Sequence, residues 1–236
     1  VTLANGQNVA WDLTGAEVVE ASESTIIITG YRNDCCGNYF KGGNHLYNDL
    51  IFTSDKSDAG GYWQIEGDNT FNTITYATDA KLTGSNTINT LNLAQGSTYT
   101  FTSGQTQTIG TITGFGDCIS GTTWKSSSTS SQTNISIASG TFDLDYFTIQ
   151  GLNITGGATF NMTNVVDQGN NTGVNIISTT GATNKDLYWV GGSGNWADGN
   201  NWSETSGGTA YGCKPNATDN VYFDANSFDA AGQTVT

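Results

Sequence analysis

Three segments of the chain share one order of residues, and this repetition constrains the fold more than any other feature. Residues 69–76, 86–93 and 107–113 each follow the order polar, threonine, apolar, polar, threonine, apolar, with Gly110 in the second polar place of the third segment. Their first residues are 17 and 21 positions apart, and an interval of about 20 is typical of stacked coils in a solenoid. We therefore expect coils that rest on one another.

The apolar places of these segments predict which side chains face the interior. They are Phe71, Ile74, Tyr76, Ile88, Leu91, Leu93, Ile109 and Ile112. Each would stack on its equivalent in the next coil, with ladders of threonine and asparagine outside. Gly84 and Gly104 would form corners, because glycine tolerates a positive φ.

The expected fold class is all-β, a right-handed parallel β-helix or β-solenoid. One proline and 31 glycines, with much threonine and asparagine, favour strands and tight turns over helices. We expect an irregular β region with long Asn, Asp and Gly loops over 1–66, and solenoid coils over 67–178. A tryptophan-rich strand-turn-strand block over 186–236 would begin the next repeat unit.

Charge excludes two classes of partner. The chain has 21 acidic and 7 basic residues, a formal net charge of −14. Such a surface repels phosphate backbones and offers no polybasic stretch to an anionic membrane. No apolar run reaches the 18 residues that suggest a membrane span. We expect an extracellular protein that binds no nucleic acid and inserts into no membrane.

The four cysteines predict disulfides. Cys35, Cys36, Cys118 and Cys213 are an even number in a chain expected outside the cell, and three pairings are open. Adjacent cysteines bond to each other only with strain, so Cys35 and Cys36 are expected to take separate partners; free thiols are the alternative. A zinc site is disfavoured because His45 is the only histidine.

Two groups of residues are candidate ligand-binding sites. The first lies in the early loop and comprises Tyr39, Phe40, His45 and Tyr47; the second comprises Trp189, Trp196 and Trp202. Exposed aromatic rings can stack on sugars. For the tryptophans, packing between coils is the favoured alternative, because glycines are interspersed with them.

Acidic loops are candidate calcium sites. Asp55 and Asp58 lie in one loop, and Asp219 and Asp224 in another, and calcium takes six to eight oxygen ligands from such residues. Neither loop matches an EF-hand. Solvated turns stabilised by the aspartate side chains are the alternative to structural calcium, and no other cofactor is expected.

An enzyme is the competing function. Asp143 and Asp145 are two residues apart on one expected strand, so both project from the same face, and glycoside hydrolysis uses two carboxylates. An exposed acidic pair on a solenoid face is the simpler interpretation. The chain has no nucleophile elbow, phosphate-binding loop or dinucleotide fingerprint.

The tryptophan block resembles a known family. The block consists of Trp189-x-Gly-Gly-x-Gly-x-Trp196, then Trp202, then Pro215-x-x-x-Asp219-x-Val-x-Phe223. This pattern is similar to repeats of very large bacterial cell-surface adhesins of the gliding-motility SprB type. The way 166–173 leads into 187–196 is also similar to how those repeats join. The resemblance covers roughly 67–228.

The resemblance implies a function and a set of partners. A member of this family would be exported by type IX secretion and would form part of a surface filament used in adhesion and gliding. Its partners would be neighbouring repeat units of the same polypeptide and polysaccharide or surface glycans, and no catalytic residue is carried over. We therefore expect a non-enzymatic repeat module, and the alternative is a β-helical polysaccharide lyase or hydrolase.

Overall fold

The structure is a computed structural model that describes residues 2–3, 9–17, 21–29, 38–53, 61–177, 185–215 and 219–236. Cys35, Cys36, Asp55 and Asp58, which the sequence singles out, lie outside these residues. The chain divides into two compact units, Val1–Ile177 and Ser178–Thr236. Strands on both sides of residue 66 belong to the same sheets of the first unit.

The strands described in the first unit follow in chain order. They are β1 (Thr2–Leu3), β2 (Val9–Asp12), β3 (Ala21–Ile28), β4 (Asn38–Lys41), β5 (Leu46–Phe52), β6 (Trp63–Glu66), β7 (Thr70–Thr75), β8 (Ala80–Leu82), β9 (Thr87–Asn92), β10 (Thr98–Phe101), β11 (Thr106–Thr113), β12 (Thr122–Ser126), β13 (Thr133–Ile137), β14 (Thr141–Asp145), β15 (Phe147–Gln150), β16 (Leu152–Gly156), β17 (Thr159–Thr163), β18 (Val166–Asp167) and β19 (Asn175–Ile176).

The chain passes back and forth between two parallel sheets. The first sheet has the order β1-β3-β5-β7-β9-β11-β13-β16, and the second has the order β2-β4-β6-β8-β10-β12-β15-β18. A third sheet, β14-β17-β19, begins in the later coils. Each coil therefore adds one strand to each sheet, which is the connectivity of a β-solenoid. The all-β prediction with parallel sheets is confirmed.

The three repeated segments stack in the predicted register. Phe71 lies opposite Ile88, which lies opposite Ile109, and Ile74, Leu91 and Ile112 form a second column. The eight side chains expected to face inward are all buried. Because each coil places its apolar residues on those of its neighbour, the core is one continuous column of side chains, and no coil needs to bury its face alone.

A ladder of buried amides runs beside this core. Asn69, Asn86 and Gln107 open the three repeated segments and are at most 1 % exposed. The Asn86 Oδ1 accepts from the backbone N–H of Asn69 at 3.1 Å, and the Asn86 Nδ2 donates to the Gln107 Oε1 at 3.1 Å. The first place of the repeat is polar because it joins successive coils through side-chain hydrogen bonds.

The two corner glycines differ in what surrounds them. Both have positive φ, +82° at Gly84 and +76° at Gly104. A Cβ on Gly84 would lie 2.5 Å from the Gly67 carbonyl oxygen, whereas one on Gly104 would meet nothing within 4 Å. The first corner lies against the backbone of the preceding coil, and the second is open.

We expect Gly84→Ala to lower the free energy of unfolding by about 3 kcal/mol, since backbone strain of about 1–2 kcal/mol adds to a clash of similar cost. Gly104→Ala, the control, meets the strain alone and should cost about 1 kcal/mol. Urea unfolding followed by far-UV circular dichroism measures both. Equal costs would show that the approach to Gly67 is not tight.

The second unit is a small sheet around tryptophan. Its described strands are β20 (Asp186–Trp189), β21 (Trp202–Ser203) and β22 (Asn220–Tyr222), with β20 in the centre, antiparallel to β21 and parallel to β22. A short 3₁₀ helix, Gly199–Asn201, precedes β21. The buried core is Leu187, Trp189 and Trp202. The predicted strand-turn-strand arrangement is present, and a third strand completes it.

Candidate functional site

Two of the four early-loop candidates, Phe40 and Tyr47, are core residues. Phe40 is 0 % and Tyr47 2 % exposed, and their rings pack edge to face, 5.1 Å apart. The Tyr47 hydroxyl donates to the Gly42 carbonyl at 2.6 Å, and burial raises its pKa. A ring enclosed by the core offers no face to a sugar, so the expectation that these two bind ligand is corrected. His45 is half-buried, and Tyr39 faces outward from β4.

The tryptophans divide in the same way. Trp189 and Trp202 are 0 % exposed, whereas Trp196 is 38 % exposed. The Trp202 Nε1 donates to the Trp196 carbonyl at 2.9 Å, and the Trp189 Nε1 donates to the Gly192 carbonyl at 2.8 Å. Trp189 and Trp202 therefore pack the sheet and cannot form a glycan platform. Of the three, Trp196 alone presents substantial surface.

The acidic residues described in the C-terminal loop make local hydrogen bonds. The Asp219 carboxylate accepts from the backbone N–H of Lys185 at 3.0 Å. Asp224 accepts from the backbone N–H of Asn226 at 2.8 Å, as in a turn closed by an aspartate, and hydrogen bonds from Ser206 and Asn226 lower its pKa. Among the described residues, no group of three His, Cys, Asp or Glu side chains could hold a metal ion.

The acidic pair of β14 is tied to the next coil. Asp143 accepts from the Asn161 Nδ2 at 2.8 Å. Asp145 accepts from the Thr163 hydroxyl at 2.9 Å and from the Asn164 Nδ2 at 2.8 Å. Both carboxylates therefore join β14 to β17 through hydrogen bonds.

Of the four cysteines, the two that the structure describes, Cys118 and Cys213, are each disulfide-bonded.

The most distinctive surface feature is an open groove of about 530 Å³ on the outer face of the second sheet. It crosses β8, β10, β12 and β15. Side chains that line it include Tyr62, Lys81, Thr98, Thr100, Lys125 and Gln150. We call this surface the lysine groove. None of its residues was singled out from the sequence.

A straight row of polar side chains runs through the lysine groove and continues beyond it to Gln64. Gln64 lies opposite Lys81, Lys81 opposite Thr100, Thr100 opposite Lys125, and Lys125 opposite Gln150. Because neighbouring strands are about 4.8 Å apart, the two lysines are about 10 Å apart at their Cα atoms. The row runs across the strands, along the direction in which the coils stack, and Tyr39 extends it at one end.

The lysines that the structure describes in the first unit all lie on this one sheet. Lys41, Lys81 and Lys125 are the three that the structure describes there, and all three project from the outer face of the second sheet. The outer face of the first sheet carries amides and hydroxyls, such as the Asn89–Asn72 pair at 3.2 Å, and no lysine in its described strands. In a chain of net charge −14, the second sheet is the face on which an anion meets least repulsion.

Among the described residues, the two lysines of the groove have no carboxylate partner of the kind that Lys41 has. Lys41 forms an ion pair with Asp12 at 3.8 Å. Within the described part of the chain, neither Lys81 nor Lys125 has a carboxylate within 4.0 Å. The Lys81 ammonium lies 5.6 Å from the centroid of the Tyr62 ring and covers one face of it. Asp79 is at the margin, where it accepts from the backbone N–H of Thr98 at 2.7 Å.

The lysine groove can hold an extended ligand that carries anionic groups. Its lysines supply two positive charges, and the flanking amides and hydroxyls supply hydrogen bonds. Sequence reasoning missed it because the row joins residues that are 17, 19, 25 and 25 positions apart. No period in the sequence links them. The one available signal was that Lys81 and Lys125 lie in strand-like stretches of a chain with only 7 basic residues.

In the described residues, no helix is long and apolar enough to cross a membrane. Comparison of the chain with protein-family models, with curated proteins and with solved structures finds no match in any of the three.

Proposed function

We propose that the chain is a non-enzymatic repeat module of an extracellular bacterial adhesin of the gliding-motility SprB type. The observation that carries this proposal is the lysine groove, an open polar groove on a stack of coils. Rigid β scaffolds commonly display binding surfaces in this way. The module would space and display such surfaces along a filament that adheres to polysaccharide.

Three further features support the proposal. The two compact units fit a polypeptide in which one repeat is followed by the start of the next. The disulfide-bonded Cys118 and Cys213 are typical of oxidising surroundings outside the cell. The resemblance of the tryptophan block adds export by type IX secretion and a place at the cell surface. We infer that the solenoid is right-handed, as parallel crossovers almost always are.

The competing function is a β-helical polysaccharide lyase or hydrolase. In its favour, the lysine groove contains basic side chains, which a lyase needs to take a proton. Against it, Asp143 and Asp145 are engaged in hydrogen bonds between coils, and no second described carboxylate beside Asp79 lines the groove. A binding role requires only the charges and hydrogen-bond donors that are present.

One experiment separates the two functions. The purified chain is applied to a glycan array and, in parallel, incubated with acidic and neutral polysaccharides while reducing ends and unsaturated products are measured. We expect binding without turnover. Product formation that is abolished in the Lys81→Gln or Lys125→Gln variant would establish the enzyme and overturn the adhesin. Further copies of the tryptophan block in flanking sequence would support the repeat array.

Structural calcium stays a proposal for the loops at Asp55 and Asp219. If it is bound, calcium should raise the thermal midpoint of the chain, because a ligand that binds only the folded state stabilises it. A chelator-treated sample with and without added calcium, and with magnesium as the control, measures this by circular dichroism. An unchanged midpoint would leave the aspartate turns as the whole explanation.

A further inference from the structure

We propose that the lysine groove binds acidic polysaccharide, with carboxylate or sulfate groups of one chain on Lys81 and Lys125. This deepens the proposed function and rests on it in one respect only: the glycan is held and not cleaved. The groove is assigned to an anionic glycan rather than to glycans in general, and the glycan lies along the row Gln64, Lys81, Thr100, Lys125 and Gln150, across the strands.

Charge favours an acidic ligand at this site. Lys81 and Lys125 project from alternate strands, and among described residues neither is neutralised by a carboxylate. A ligand that brings an anion to each lysine gains two attractions against the one repulsion of Asp79 at the margin of the groove, whereas the chain as a whole, of charge −14, repels an anion. An acidic glycan would therefore concentrate on this face and on no other described face of the first unit.

The aromatic side chain of the groove disfavours a neutral sugar. Neutral glycans are held mainly by stacking on exposed rings, but the Lys81 ammonium already lies over one face of the Tyr62 ring, 5.6 Å from its centroid. Polar groups predominate along the row instead. Within the groove, its alternation of lysine, hydroxyl, lysine and amide matches a polymer that alternates acidic groups with sugar hydroxyls.

An acidic peptide fits less well. A peptide held on a sheet usually adds a strand to an open edge, and the groove lies on the face of the sheet, where β8, β10 and β12 are each paired on both sides. The backbone groups of these strands are therefore already paired and cannot form hydrogen bonds with a peptide. The hydroxyls of Thr98 and Thr100 and the Gln150 amide suit a ligand rich in hydroxyl groups.

The test compares lysine variants on defined polymers. Binding of the full chain to polygalacturonate, dextran sulfate, neutral dextran and poly-glutamate is measured by isothermal titration calorimetry at low salt. We expect Lys81→Gln and Lys125→Gln each to weaken binding to an acidic glycan about two- to fivefold, as for exposed charge pairs, and the double variant about tenfold. Lys41→Gln, on the same face but paired with Asp12, is the matched control and should change binding less than twofold.

The outcomes are distinguishable. Lysine-dependent binding of polygalacturonate, dextran sulfate or both supports the proposal and identifies the anion as carboxylate, sulfate or either. Binding of neutral dextran alone, equal binding of poly-glutamate, an unaffected double variant, or no binding of any polymer overturns it. If neutral glycan binds independently of the lysines, the adhesin function stands without this site. If acidic glycan is bound through the lysines and also cleaved, the site stands and the adhesin function fails.

Discussion

Trp202→Ala should unfold the C-terminal unit. Trp202 is 0 % exposed and packs edge to face on Trp189 at 5.1 Å and on Trp196 at 4.7 Å. Removing a buried tryptophan costs about 3–5 kcal/mol. A unit of about 60 residues has a total stability of roughly 3–9 kcal/mol, so the loss is comparable to the whole. The rest of the buried core is Leu187 and Trp189, and these two side chains cannot replace the packing that is lost with Trp202.

The measurement is near-UV circular dichroism of the indoles together with limited proteolysis and mass spectrometry. We expect cleavage within 185–236 and survival of a fragment that contains the first unit, because the first unit has its own hydrophobic cluster. Trp196→Ala is the control. Trp196 is 38 % exposed, and its carbonyl, which accepts from the Trp202 Nε1, stays in place, so the unit should keep its fold. Unchanged protection in Trp202→Ala would contradict the assigned core.

Asn86→Leu should be the most damaging polar substitution in the solenoid. The Asn86 side chain bonds to both neighbouring coils and also donates to the Thr83 carbonyl at 3.3 Å. Leucine would leave the Asn69 N–H, the Thr83 carbonyl and the Gln107 Oε1 without these bonds in a buried place. Each orphaned group costs about 1–3 kcal/mol, so we expect a loss of about 4 kcal/mol in the free energy of unfolding.

Urea unfolding of the full chain provides the comparison. Asn89→Leu is the matched control, since Asn89 is exposed on the same strand and donates to the Asn72 Oδ1 at 3.2 Å. It should cost less than about 1 kcal/mol. If the two variants lose equal stability, the buried amide ladder contributes no more than the exposed one, and the polar first place of the repeat needs another explanation.

Three strands of the first sheet, β7, β9 and β11, could be predicted because they share one order of residues. The segments that begin at Asn69, Asn86 and Gln107 carry the same order of residues, so their alignment in the sequence is also their register in the sheet. The strands of the second sheet pair at intervals of 17 to 25 residues, no less evenly than those of the first, but they share no order of residues. The row of outward-facing side chains on this sheet, which includes Lys81 and Lys125, can be identified only from the strand pairing. The lysine groove therefore could not be predicted from the sequence.

The error at Phe40 and Tyr47 has a physical cause. Glycines at 42 and 43 and a nearby asparagine suggest a loop, and the alternation over β4 is only four residues long. Four residues are too few to distinguish a strand from a loop by period alone. The neighbouring coil fixes β4 as a strand, because β6 pairs with β4 along its whole length and places Phe40 opposite Ile65.

The direction of the hydrogen bonds in the stack has a mechanical consequence. In parallel sheets the bonds between strands run along the stacking direction, so every coil is attached to the next through those bonds, the interlocking amides and the stacked apolar core. A pull along that direction would load one boundary between coils at a time, and coils would detach in sequence. Each detached coil of about 20 residues would release roughly 70 Å of extended chain. A stack of this kind can lengthen in steps under tension while the coils still stacked keep their outer faces intact.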